Sequence, residues 1–337
     1  MRTLARQNAL IVEQNSPSKT NTPSVLSAGI ERNKVIWRFS DARPGHDAQS
    51  KGLVLALSKR IGCDHHDILT PLPFASFAWS LLKKFPPAIN LPDPDLLVGA
   101  GHATHIPMLM ARHVRGGKAL VLMKPSLPTA FFDICLIPEH DKFKAADNIL
   151  TTTGPLNLLS PSKQLSSSQG LILIGGESKH FVWDNERLRG HLAAILKNTS
   201  NNWIIADSPR TPKSTRALLQ KFISDKVRYL PFADESGSGV VELLQSAGTV
   251  WVSEDSMSMI YEALSTGAAV GILPVTKTNK SRLADVAESL ANKKLLTLFD
   301  DWLSNKILLP PATTLNESAR CADVLINRLG WVSADTS

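Results

Sequence analysis

Residues 95–123 read DLLVGAGHATHIPMLMARHVRGGKALVLM, and this stretch decides the fold. Asp95–Val98 is a short apolar strand followed by Gly99 and Gly101. Thr104–Val114 has helical character, and Ala119–Met123 is a second apolar strand, closed by Lys124-Pro125. Neither strand alternates apolar with polar residues, the pattern of strands covered on both faces. Strand, helix and strand in this order make a unit of a parallel sheet.

The same rhythm extends outward in both directions. Upstream, Lys34–Ser40 (KVIWRFS) is a strand, and Gly45–Arg60 carries Leu53, Val54 and Leu57 at helical spacing, with Ile61 just beyond. Downstream, Ile134–Ile137 and Ile149–Thr152 are strands. Pro155–Gln169, rich in Ser, Pro, Leu and Asn, reads as a linker. The alternation then restarts. Strands are expected at Leu171–Ile174, Trp203–Ala206, Thr249–Val252 and Ala269–Leu273. Helices are expected from Asp184 to Lys197, at Pro212–Ile223, Ser256–Thr266 and Glu317–Leu329. The chain thus divides into an N-terminal half, residues 34–158, and a second half, residues 170–309. Residues 310–337 form a final helix and tail. Residues 1–33, dominated by Ser, Thr, Asn and Gln, are expected to be a disordered tail. Two doubly wound halves place a ligand cleft between them, at the carboxyl ends of their strands.

Composition narrows the classes. At 337 residues, 43% hydrophobic and 20% charged, the chain has material for about two domains. No apolar run approaches the ~18 residues of a membrane span. Three widely separated cysteines, Cys63, Cys135 and Cys321, fit neither a zinc site nor a disulfide framework and suit a reducing cytosol. The net charge of +7 is uneven. Residues 1–160 hold 18 Lys+Arg against 12 Asp+Glu, and residues 161–337 hold 19 against 18. No zinc-finger spacing, RNP-like strand or dense basic run supports nucleic acid as the partner. Pro73–Phe85 mixes aromatics with Lys83 and Lys84, a composition that suits an anionic membrane interface.

Five motifs follow strands. Asp41-Ala-Arg43-Pro-Gly45-His46-Asp-Ala-Gln49 joins a tight turn to a helix N-terminus. Arg43 could clamp an anion there, and His46 or Asp41 could act as a base. Gly99-Ala-Gly101-His102-Ala-Thr104 repeats the arrangement with His102 and Thr104 facing the expected cleft. It lacks a third glycine in register, which disfavours a dinucleotide site. Gly175-Gly176-Glu-Ser178 opens the second half as a phosphate-facing turn. Ser208 and Arg210, in Asp207-Ser-Pro-Arg-Thr-Pro, also suit phosphate. The strongest motif is Ser253-Glu-Asp-Ser256-Met257-Ser258-Met-Ile-Tyr-Glu262. Hydroxyls and amides at Ser256–Ser258 open a helix and suit a pyrophosphate. Glu262 lies too far round the helix to reach the same phosphate and could accept hydroxyls of a ribose deeper in the groove.

Taken together, DARPGHDAQ-x-x-GL, AGHATHIPML, VLMKPSLP, LILIGGES and SEDSMSM-x-x-EALSTG resemble the mitochondrial-fission elongated-mitochondria family. Its bacterial members are classed as lipooligosaccharide outer-core glycosyltransferases. The resemblance runs from about Val35 to Pro274, and departs from the family at Asp207-Ser-Pro-Arg210, where a more basic turn is usual. Val250–Pro274 is also similar to the donor-binding stretch of the two-domain glycosyltransferases that act on undecaprenyl-linked muropeptide. These likenesses imply an α/β fold of two Rossmann-like doubly wound domains facing a cleft, GT-B-like. They imply a glycosyltransferase moving a sugar from a nucleotide-diphosphate donor to a saccharide or lipid-linked acceptor in cell-envelope synthesis. The donor site would use Gly175, Gly176, Ser178, Ser208, Arg210, Ser256, Met257, Ser258 and Glu262. The acceptor side would use Arg43, Gly45, Gln49, His102 and Thr104, with His46 and Asp41 catalytic. No metal is expected, since helix N-termini and Arg210 can neutralise the leaving diphosphate, and no cofactor is expected. The expected location is cytoplasmic, peripheral on the inner membrane. The alternatives are a non-catalytic fission scaffold on the mitochondrial outer surface, and a nucleotide-sugar epimerase, disfavoured by the missing GxGxxG turn.

Overall fold

The computed structural model describes residues 32–332, apart from 71–72, 179, 199–200, 233–238 and 279–281. All but the last two residues of the expected N-terminal tail lie outside the described residues. In chain order, the first sheet is built from β1 (Val35–Ser40), β2 (Asp64–Leu69), β3 (Leu96–Ala100), β4 (Lys118–Leu122), β5 (Ile134–Pro138) and β6 (Ile149–Thr152). Three helices interleave: α1 (Pro44–Ile61), α2 (Pro73–Leu81) and α3 (His105–Arg115). The strands are all parallel in the order β2-β1-β3-β4-β5-β6. Covered on both faces, β3 buries all five of its residues, as its unbroken apolar run dictates. Each fully buried Leu or Val contributes roughly 1.5–3 kcal/mol.

One charge interrupts that apolar pattern. Arg38 sits inside β1, 3% exposed, and its guanidinium donates to Asp67 at 2.6 and 2.5 Å and to Asp47 at 2.9 Å. The hydrogen bond from Arg38 holds the Asp67 carboxyl below its ordinary range. Asp47 also accepts from Ser40 Oγ at 2.7 Å, which ties the start of α1 to the end of β1.

The second sheet contains β7 (Ser166–Leu173), β9 (Asn202–Ala206), β10 (Val227–Leu230), β11 (Ala247–Ser253), β12 (Ala269–Leu273) and β14 (Thr297–Leu298), all parallel in the order β10-β9-β7-β11-β12-β14. A small antiparallel pair, β8 (Phe181–Val182) with β13 (Thr276–Lys277), lies outside it. Its helices are α4 (Asn185–Lys197), α5 (Lys213–Gln220), α6 (Gly239–Ser246), α7 (Met257–Thr266), α8 (Arg282–Asn292) and α9 (Phe299–Asn305). Asp184 caps α4 by accepting from the amides of Glu186 and Arg187. β7 begins at Ser166, inside the stretch expected to be linker. Its first four residues, SSSQ, are polar, so composition alone hides them.

Two connections tie the halves together. Residues 153–157 are lashed to α7: Tyr261 Oη donates to Thr153 O at 2.8 Å, and Asn157 Nδ2 donates to Ser265 Oγ at 3.0 Å. A Cβ on Gly154 would stand 2.1 Å from the Tyr261 ring. The final helix, α10 (Glu317–Leu329), returns to the first half. Its Cys321, Ala322, Leu325 and Ile326 share a core with Ile36, Leu53 and Leu57.

Candidate functional site

A cavity of about 540 Å³ opens between the halves. The first half contributes Pro44, Gly45, Ala48 and Gln49 at the start of α1, and residues 155–157 form its floor. The second half contributes Ser208, Arg210, Ser256, Ser258 and Glu262 among others. These side chains meet because every strand of both sheets is parallel and the turns to α1, α5 and α7 leave the same strand ends.

Glu262 is the least satisfied of them. Among the described residues its carboxylate has no hydrogen-bond or ion-pair partner. Burial beneath the cavity wall pushes its pKa up to about 7. One turn earlier, the N-terminus of α7 also faces the cavity. Ser256 occupies the cap position, yet its hydroxyl makes no capping hydrogen bond, and the first turn of α7 carries no acid. Among the described residues, a carboxylate without a donor and a helix N-terminus without a side-chain cap therefore line one wall. Met257, between the two serines, packs against the core of the second half and does not line the cavity.

The glycine turn after β7 departs from expectation. Both of its amides are already used: Gly175 N donates to Ser253 Oγ at 2.7 Å, and Gly176 N to Asp255 Oδ2 at 3.0 Å. A Cβ on Gly175 would stand 2.2 Å from the Asp255 carboxylate, and one on Gly176 would stand 2.0 Å from Arg210 O. The glycines thus let three loops approach one another, and their amides are not available to a phosphate. Ser178 is exposed, accepts from His180 N at 3.2 Å and does not line the cavity. Arg210 donates to Asp255 Oδ2 at 2.8 Å and to Gly176 O at 3.1 Å, while its side chain stays 42% exposed. It keeps an open face toward the cavity. Ser208 also lines the cavity, with its amide donating to Thr211 Oγ1 at 2.9 Å.

On the first half, Asp41 does two jobs. Its Oδ1 accepts from Arg43 N at 3.2 Å, which closes the turn, and its Oδ2 lies 2.8 Å from His46 Nδ1. The turn passes through Ala42 at φ +59°, a left-handed conformation costly for a residue with a Cβ. Asp41 is 6% exposed and orients the ring so that Nε2 is left for other chemistry. The pair does not itself line the cavity; its neighbours Pro44 and Gly45 do. Arg43 points to solvent, 76% exposed. Gln49 lines the cavity and donates to Gly45 O at 3.3 Å.

The second histidine motif is not on the cavity. Thr104, expected to face an acceptor, is fully buried and donates to Gly101 O at 2.8 Å, closing its own turn. His102 is exposed, with Nδ1 2.5 Å from Ser126 Oγ. His105, 3.3 Å from the same hydroxyl, is driven down to about 4 by burial, with His102 adding to the effect. Asp255, Tyr261 and Asn157 shape the site without having been assigned a role in the sequence. Their partners lie far away in the chain, so no local pattern marks them.

Two parallel doubly wound sheets facing a cleft, with a helix N-terminus and a carboxylate on its wall, define a GT-B-like α/β protein. The chain belongs to the family described as Mitochondrial fission ELM1, whose pattern matches residues 44–329. A relative from Rickettsia prowazekii (strain Madrid E), described as Uncharacterized protein RP120, is 22% identical over 352 residues, covering 86% of this chain and 97% of that one. Among solved structures, a chain of Listeria monocytogenes described as a candidate UDP-N-acetylglucosamine 2-epimerase shares the fold. Its TM-score is 0.59 at 10% identity, covering 89% of this chain and 96% of that one. The UDP-GlcNAc 2-epimerase of Methanocaldococcus jannaschii gives a TM-score of 0.52 at 14% identity, with 88% and 100% covered. Proteins described as epimerases thus share this architecture, and the fold by itself does not set the epimerase class aside.

Proposed function

We propose that the cavity binds a nucleoside-diphosphate sugar and that the protein transfers the sugar to a saccharide or lipid-linked acceptor. The observation that carries this reading is the Glu262 carboxylate, without a partner among the described residues, beside the uncapped N-terminus of α7. A ribose offers hydroxyl donors to the first, and a diphosphate offers acceptors to the second. Arg210 adds a cation to the leaving diphosphate from its exposed face. His46, oriented by Asp41, is the base for an acceptor hydroxyl entering from the first half. Solved chains of this fold described as UDP-N-acetylglucosamine 2-epimerases support a sugar nucleotide as the ligand class.

Titration calorimetry with nucleosides, nucleoside diphosphates and their sugars tests the reading. Glu262→Gln weakens nucleoside and diphosphate alike, by about 5- to 150-fold for roughly 1–3 kcal/mol of lost hydrogen bonding. Ser256→Ala weakens only ligands carrying phosphate. Binding unchanged by Glu262→Gln overturns the donor assignment. Binding of no nucleotide at all favours the scaffold alternative. Conversion of a bound sugar nucleotide without any acceptor shows an epimerase instead.

A further inference from the structure

The second helix is dressed inside out. α2 turns Ser76 and Ser80 toward the protein, where both are buried. Its outer face carries Phe74, 83% exposed, Phe77, 54%, and Leu81, 72%, followed by Leu82 at 69%. Their spacing of three, seven and eight residues places them along one side of a helix. Apolar burial is the main favourable term in folding, so a fold left to itself would seat such a face inward. The helix is nevertheless firmly placed. Trp79 packs edge-on against Phe85 at 6.3 Å, and Phe85 stacks on the buried Trp37 at 6.2 Å.

The charges within this segment are of one sign. Residues 68–92 contain Lys83 and Lys84 and no acid. Both lysines are exposed, and neither ammonium pairs with a carboxylate among the described residues. Lys83 also ends the helix at φ +50°, a left-handed position where glycine would cost least.

We propose that α2 and Lys83-Lys84 form a docking surface for an anionic lipid bilayer. Phe74, Phe77, Leu81 and Leu82 enter the boundary between headgroups and acyl chains, and the two ammonium groups meet lipid phosphates. A second copy of the chain is a poorer occupant. A twofold contact sets the same patch against itself and gathers four like charges, Lys83 and Lys84 of each copy, into one interface without an acid from this segment. This proposal does not rest on the donor reading, because no residue of α2 lines the cavity.

Co-sedimentation of the full chain with vesicles tests it. One set contains phosphatidylcholine alone, the other an equal share of phosphatidylglycerol. Binding to the anionic set, weakened by salt, is the expected result. Lys83→Ala with Lys84→Ala lowers it about 25-fold, from about fivefold per basic residue near the surface. Phe74→Ser with Phe77→Ser abolishes it and leaves the melting temperature within a degree or so of the parent, on the order expected for exposed positions. Equal binding to both sets, or to neither, overturns the proposal. So does a concentration-dependent dimer in sedimentation velocity that Phe77→Ser dissolves, since the face then belongs to a second copy. The lysine pair keeps the test decisive should the phenylalanine variant fold poorly.

Discussion

Gly101 lies against the His46 ring so closely that a Cβ would stand 2.2 Å from Nδ1. Its backbone is at φ +86°, where residues with a Cβ are strained in any case. Gly101→Ala therefore both clashes and strains, at a cost of about 1–3 kcal/mol. His46→Ala removes the clash and leaves the strain. The double variant is expected to recover at least ~0.5 kcal/mol relative to the sum of the two single changes. Urea denaturation of the four proteins measures this, and strict additivity counts against the contact.

Glu262 sets a pH dependence of stability. Its folded pKa of about 7 lies above its ordinary value of 4.5, so the folded state binds the extra proton between those two values. Stability accordingly falls as pH rises from about 4.5 to 7 and is level on either side of that window. The penalty at pH 8 is about 1–3 kcal/mol, allowing for solvent in the open cavity. Glu262→Gln removes it. The variant should melt higher than the parent at pH 8 and nearly equally at pH 4. Equal gains at both values would exclude burial of the charge as the cause.

Arg210 and Asp255 make the third test. The Asp255 side chain is fully buried, and its Oδ2 accepts from both Arg210 and Gly176 N. Arg210→Ala leaves that carboxylate with one amide donor. Loss of one partner of a buried pair costs about 3–5 kcal/mol. The 42% exposure of Arg210 reduces the expected cost to about 1–3 kcal/mol. Arg210→Lys recovers only part, because one ammonium does not reproduce the fork between Asp255 and Gly176 O. Unchanged stability in Arg210→Ala would mean that the guanidinium serves ligand alone.

The cysteines are predicted to be inert in the native protein. Burial pushes Cys135 and Cys321 up to about 12 and raises Cys63 as well. Iodoacetamide at pH 8 should label them only as the chain unfolds, since the thiolate is the reactive form. Rapid labelling under native conditions, read by mass spectrometry, would contradict the packing of these positions.

The strands that carry unbroken apolar runs were legible in the sequence. Ala269–Leu273 falls where its run puts it, and the β-branched strand Ile149–Thr152 and the final helix Glu317–Leu329 also fall where they are expected. β2 was not, because DHHDIL has four titratable residues in six. At the sheet edge most of these residues are exposed, and Asp67 pairs with the buried Arg38. The placement of Ser256, Ser258 and Glu262 along one helix start on the cavity wall was readable because a strand, a turn and a helix announce themselves locally. Gly175 and Gly176 misled for the opposite reason. Their amides are used by Ser253 and Asp255, nearly eighty residues away, and no local spacing records that.

The return of α10 to the first half bears on how the chain comes to be folded during synthesis. Leu53, Leu57 and Ile36 are made early, but Leu325 and Ile326, which share their core, are made only after the whole second sheet. A nascent chain that has completed the first sheet still shows that apolar face to the cell. Folding from the N-terminus forward, the usual order for a chain of two domains, therefore leaves its opening step without part of its core. The second sheet is free to close first, and the core of the first half is completed only once α10 has been made.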